Sequence, residues 1–279
     1  MAELEKKTDM AEDLKKALAL FTFKGQMDRY KPPRGSRLPL APMLASLRGM
    51  SPRQWAAYAF GRDPLRGKFT PEQMLELSDK ALACGQEEAR KLLDAHHGKV
   101  EPTLLARELG LTIERPDMPN GGGQVIFAQY EEPDKITVFM DTVDKANALL
   151  GSRPDLVNLL GKRSIEQVLV AHEIFHAVEL RAKDTIFTQS YRLQLWKLGP
   201  IKNESGVACL AEIAGMEFAR TLLDLDFCPY LYDVFFVSLY DAQAASDLYR
   251  SICRLCSQPS VEETLFPQEL REALEAEDA

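Results

Sequence analysis

Residues 172–176 read His-Glu-Ile-Phe-His, an order of side chains suited to one chemistry: holding a divalent metal and activating a water beside it. On a helix, positions i and i+4 share a face one turn apart, so His172 and His176 can both reach a single zinc ion (Zn2+). Glu173, adjacent to the first histidine, can reach a water at that metal and act as its general base. The chain has four histidines and two of them stand here, so the pattern is no by-product of a histidine-rich composition.

A catalytic zinc needs a third protein ligand and an open position for water. Spacing excludes a third histidine of the metzincin kind, because Ala182 stands ten residues after His172 and Glu179 occupies the place of that pattern's glycine. His96 and His97 lie far upstream beside Gly98 and read as surface residues at a helix end. A carboxylate is the better candidate. Residues 206–225 read as a helix, and Glu212 lies in its apolar half with Ala208, Ala211 and Gly215 at helical spacing. Small side chains let that helix approach another backbone closely, which a short-armed glutamate needs if it is to share the metal. Glu217, five positions on, is the rival and faces another side.

The elements that must position these residues follow from pattern. Ser164 and Gln167 have the form of a capping box, so the motif helix starts at Ile165. From Val168 to Leu180 apolar residues surround the helix on nearly all sides, which predicts burial. Buried charge is costly unless paired or metal-bound. A pair of hydrogen-bonded core histidines is the competing reading, but it must also explain Glu173 in the same stretch.

Upstream, residues 3–22 read as an amphipathic helix. Residues 24–69 carry ten Lys/Arg against two Asp/Glu and are broken by Pro32, Pro33, Pro39 and Pro42; they read as a solvated basic connector. Ser51-Pro52-Arg53-Gln54 and Thr70-Pro71-Glu72-Gln73 are capping boxes that open helices over 55–60 and 74–84. Helical signals continue over 86–96 and 102–109. The string Leu104–Leu111 has the look of half a helix-turn-helix, but a helix-to-strand corner is preferred. A short strand at 111–114, a flexible Asn120–Gly123 turn and a hairpin over 124–130 and 135–141 come next. From residue 143 the chain reads as helical, ending in a frayed acidic tail over 273–279. The expected fold is α+β, mainly helical, with a small antiparallel sheet packed beside the motif helix in zincin-like fashion. The expected organisation is an N-terminal helical region with a basic connector over 1–80 and a metallopeptidase domain over 81–279.

The motif at 172–176, followed by Glu212-Ile213-Ala214-Gly215-Met216-Glu217-Phe218-Ala219-Arg220-Thr221-Leu222-Leu223, resembles the ImmA/IrrE-like zinc metallopeptidases. Their downstream signature is Glu-x-x-Ala-Asn-x-Phe-Ala-x-x-Leu-Leu. Glu212, Phe218, Ala219, Leu222 and Leu223 match it, while Gly215 and Met216 replace the Ala-Asn pair and remove a support around the metal ligands. The resemblance spans about residues 85–225. It implies a gluzincin-like site with Glu212 as third ligand, and a protein or peptide substrate, a repressor in the better-known relatives. It does not reach the first 80 residues, where many relatives carry a DNA-binding helix-turn-helix.

Composition narrows the partners. A net charge of −8 argues against nucleic acid or an acidic membrane as partner. No apolar run is long enough to span a bilayer, and the charged N-terminus lacks the apolar region of a signal peptide. The five cysteines, Cys84, Cys209, Cys228, Cys253 and Cys256, are odd in number and scattered, which suits a reducing, cytoplasmic setting. Cys253 and Cys256 lack the second pair that a zinc ribbon needs. The expected activity is peptide-bond hydrolysis, with Glu173 passing a proton from water to the leaving amine. Tyr191 is one candidate for steadying the oxyanion, with a plain aromatic contact preferred. Two other readings stay open: a zinc-binding sensor or partner-binding protein without turnover, and a structural or DNA-associated protein whose histidines are incidental.

Overall fold

The computed structural model describes residues 35–117, 127–161, 163–198 and 201–278. Its elements run α1 (Leu40–Arg48), α2 (Pro52–Arg62), α3 (Pro71–Ala95), α4 (Pro102–Glu108), β1 (Thr112–Glu114), β2 (Ala128–Glu131), β3 (Lys135–Val138), α5 (Met140–Ser152) and α6 (Pro154–Leu160). They continue with α7 (Ile165–Arg181), α8 (Phe187–Ser190), β4 (Leu193–Leu198), β5 (Ile201–Ser205), α9 (Ala208–Leu222), α10 (Leu231–Ser238), α11 (Ala242–Cys256), α12 (Val261–Thr264) and α13 (Pro267–Asp278). The fold is α+β and mainly helical. The helix expected over 3–22 and the Asn120–Gly123 turn lie outside the described residues.

Two of the three capping boxes form as written. Ser51 with Gln54 opens α2 and Thr70 with Gln73 opens α3, each with proline at the first helical position. The third does not: Ser164 makes no side-chain cap at α7, and Gln167 reaches instead to Glu101, 3.3 Å away. The two helical segments expected on either side of residue 85 are one helix, α3. Gly85 does not break it; Gly85 lies where α3 crosses α9.

The basic connector is corrected in its described part. Leu40, Met43, Leu44 and Leu47 on α1, and Trp55, Tyr58 and Phe60 on α2, are buried in the core that also holds Phe175 and Phe218. The prolines there sit at helix starts, where a missing N–H costs little. Four of the arginines there pair with carboxylates: Arg37 with Glu277 and Asp278, Arg48 with Asp226, Arg53 with Asp79 and Arg62 with Asp233. The boundary set near residue 80 falls inside α3.

A small sheet lies against α7, in the order β1-β3-β2. β2 and β3 form the expected antiparallel hairpin, with Tyr130 opposite Ile136, and β1 adds in parallel with Ile113 opposite Ile136. The α4–β1 corner turns at Gly110, whose φ is +72°. A second hairpin, β4–β5, interrupts the region expected to be helical throughout. It carries polar residues, with Trp196 and Leu198 exposed, so it lacks the buried face that would have announced it.

The acidic tail is also corrected: it is helical as α13 and docked. Glu277 accepts from the Leu40 backbone amide at 3.1 Å and from Arg37 and Arg153 at 3.3 and 3.2 Å. A carboxylate from the far end of the chain thereby caps α1, whose preceding residue, Pro39, provides no side-chain cap. No helix among the described residues is long and apolar enough to cross a membrane.

Candidate metal centre

The motif histidines lie on one face of α7, and α9 packs across that helix to bring Glu212 to them. The Nε2 atoms of His172 and His176 are 3.1 Å apart. His172 Nε2 lies 3.4 Å from Glu212 Oε2, and His176 Nε2 lies 3.6 Å from Glu212 Oε1. These three side chains could hold a metal ion. The rival carboxylate lies elsewhere: Glu217 is buried and forked onto Arg220 at 2.6 and 2.7 Å.

Several tertiary devices put Glu212 in place. Asp63, just past α2, is buried and accepts from the Cys209 backbone amide at 2.9 Å and the Leu65 amide at 2.7 Å. It supplies the cap that Val207 at the start of α9 does not. At the crossing with α3, a Cβ on Gly85 would fall 2.1 Å from the Ala214 carbonyl oxygen. The close approach expected from the small residues of α9 thus occurs at Ala214. Gly215 makes room on another side, since a Cβ there would meet the His172 ring at 2.9 Å.

Electrostatics keep the carboxylate ionised. Burial would push Glu212 up, but the hydrogen bond and charge of His172 and the charges of His176 and Arg62 outweigh it and hold it at about 2. Arg62 is itself fixed by Asp233 and the Tyr58 hydroxyl, each 2.8 Å away. Burial would lower His176, but Glu179 and the neighbouring carboxylates raise it to about 10. A metal ion would therefore displace a proton at this imidazole. Glu173 is buried, and desolvation pushes its carboxyl up against the pull of His172 and His176; it meets the Tyr130 backbone amide on β2.

The two imidazoles differ on their far sides. His176 Nδ1 faces Glu179 Oε2 at 3.5 Å, whereas the buried Nδ1 of His172 has no hydrogen-bond partner among the described residues. Tyr191 packs its ring on Phe187 at 5.9 Å, a plain aromatic contact. His96 caps the end of α3 and His97 follows it at positive φ, on the surface. Cys253 and Cys256 are free, buried side chains on α11.

The roles of Asp63, Arg62 and Glu179 escaped the sequence reading. Only Glu179 carried a local signal, its three-residue spacing from His176 on a helix. Comparison with known proteins returns no matching family model, no matching curated protein and no matching solved structure.

Proposed function

We propose that this chain is a zinc-dependent metallopeptidase of the ImmA/IrrE-like kind, acting on a protein or peptide substrate, with His172, His176 and Glu212 as metal ligands and Glu173 as general base. The observation that carries the proposal is the spacing of the three ligand side chains. Ligand atoms about 2.0–2.1 Å from a tetrahedral zinc lie about 3.3–3.4 Å from one another. Here the imidazole nitrogens are 3.1 Å apart and lie 3.4 and 3.6 Å from the two different oxygens of Glu212, with one donor atom from each residue within 4.8 Å of the others. Two nitrogens and one carboxylate also make a donor set that suits zinc.

Zinc, when bound, supplies Lewis acidity and lowers the pKa of its water from about 15.7 towards 7. The chain's own residues then have defined roles. Glu173, with its carboxyl raised by burial, accepts a proton from water and returns it to the leaving amine. β2 is one of the two outer strands of the sheet among the described residues, and its Tyr130 amide faces Glu173. An extended peptide pairing along that strand would lie beside the base.

Two measurements test the reading. Metal analysis of the purified chain should find stoichiometric zinc, and a peptide library incubated with the chain should gain new N-termini by mass spectrometry. Glu173→Gln should keep the zinc and lose about 10²–10⁴-fold in cleavage rate. A chain without zinc overturns the metal site. Wild-type cleavage by Glu173→Gln overturns the base assignment. Zinc without cleavage favours the sensor reading.

A further inference from the structure

Glu179 is a buried carboxylate on α7, one turn beyond His176. Burying a carboxylate is costly unless something pairs with it. Among the described residues its ion-pair contact is His176 Nδ1, at 3.5 Å. Its other oxygen, Oε1, is buried without a hydrogen-bond partner. The carboxylate therefore spends its desolvation on one imidazole nitrogen, the one pointing away from Glu212. The opposite nitrogen of the same ring, Nε2, faces His172 and Glu212.

We infer that Glu179 is a positioning residue of the metal centre: it accepts the Nδ1–H of His176, fixing the tautomer and ring angle that present Nε2 to the metal. A second-layer carboxylate of this kind orients an imidazole and makes it a stronger donor. The contrast with His172 gives the inference its content. Among the described residues that ring has no partner at Nδ1, and it is confined by packing against Gly215 instead. On the Nδ1 side, one ligand meets a carboxylate and the other is limited by packing.

The inference rests on the zinc reading above, and the experiment separates the two. Zinc affinity is measured on the full chain by competition with a chromophoric chelator, for wild type, Glu179→Ala and Glu179→Gln. Glu179→Ala should bind zinc about 10–100-fold more weakly. Glu179→Gln, whose amide oxygen still accepts, should stay closer to wild type than to the alanine variant. In the zinc-loaded wild type, NMR should find the His176 proton on Nδ1 and protected from exchange; Glu179→Ala should lose that protection. Affinity of Glu179→Ala within about twofold of wild type overturns the assignment. So does a wild-type spectrum with Nδ1 rather than Nε2 of His176 bound to zinc, whatever the variants do. Wild-type chain that binds no zinc overturns the zinc reading itself.

Discussion

The two helices that meet at the candidate metal centre are held in place by different means. α7 delivers His172, Glu173 and His176 through spacing within a single turn, and its burial follows from its own apolar surface. α9 delivers one carboxylate, and most of what aims it comes from elements packed against the helix. Asp63 caps its start from 146 residues away, Gly85 of α3 lets Ala214 approach, and Gly215 leaves room for the His172 ring. A ligand pair within one helix needs only that the helix form. A ligand shared between two helices needs their crossing to be fixed to a few tenths of an ångström, because interiors are close-packed.

This contrast is open to attack, and the hardest blow falls at the crossing. Gly85→Ala places a methyl where only backbone can yield, so the apo protein should lose at least about 3 kcal/mol by denaturant unfolding. An unchanged midpoint would mean that α3 does not set the position of α9. Asp63→Ala removes two bonds to backbone amides and should cost about 2 kcal/mol. Zinc binding should weaken with it, because the cap sits one turn before Glu212; a loss of stability with affinity untouched would detach the cap from the site. Gly215→Ala acts on the seam between the helices. It should weaken zinc binding about tenfold while changing stability by no more than about 1 kcal/mol. Equal affinity would show that the His172 ring has room to spare. Smallest is Gln167→Ala on α7, expected within about 0.5 kcal/mol of wild type, because that helix does not depend on its start. A larger loss there would mean that α7, too, is held from outside.

The same division decides what could be read from the chain. The i,i+4 histidines, the start of α7 at Ile165, the two proline-led capping boxes and the β2–β3 hairpin are local patterns, and the structure contains them. Glu212 was legible as a candidate through the small residues around it, although of the two residues that make the close contacts only Gly215 was in that set; Ala214 was not. Asp63 was not legible, since nothing near it in sequence announces a helix start 146 residues later. Residues 38–69 misled because charge count outweighed pattern: their arginines are spent on distant carboxylates, while Leu44, Leu47 and Trp55 fill the core. Ser164 misled for a different reason. Its box partner, Gln167, had a better acceptor in Glu101, itself the cap of α4.

The grip of Glu277 on Leu40 and Arg153 joins it to parts of the chain 237 and 124 residues away. α1 packs against α6, α10, α11 and α12, so its leucines are buried only once those later helices are in place, and its first turn is capped last, by α13. The earliest and the latest described helices are thus completed together. A short trim of the final dozen residues, harmless in a frayed tail, would here unfasten α1.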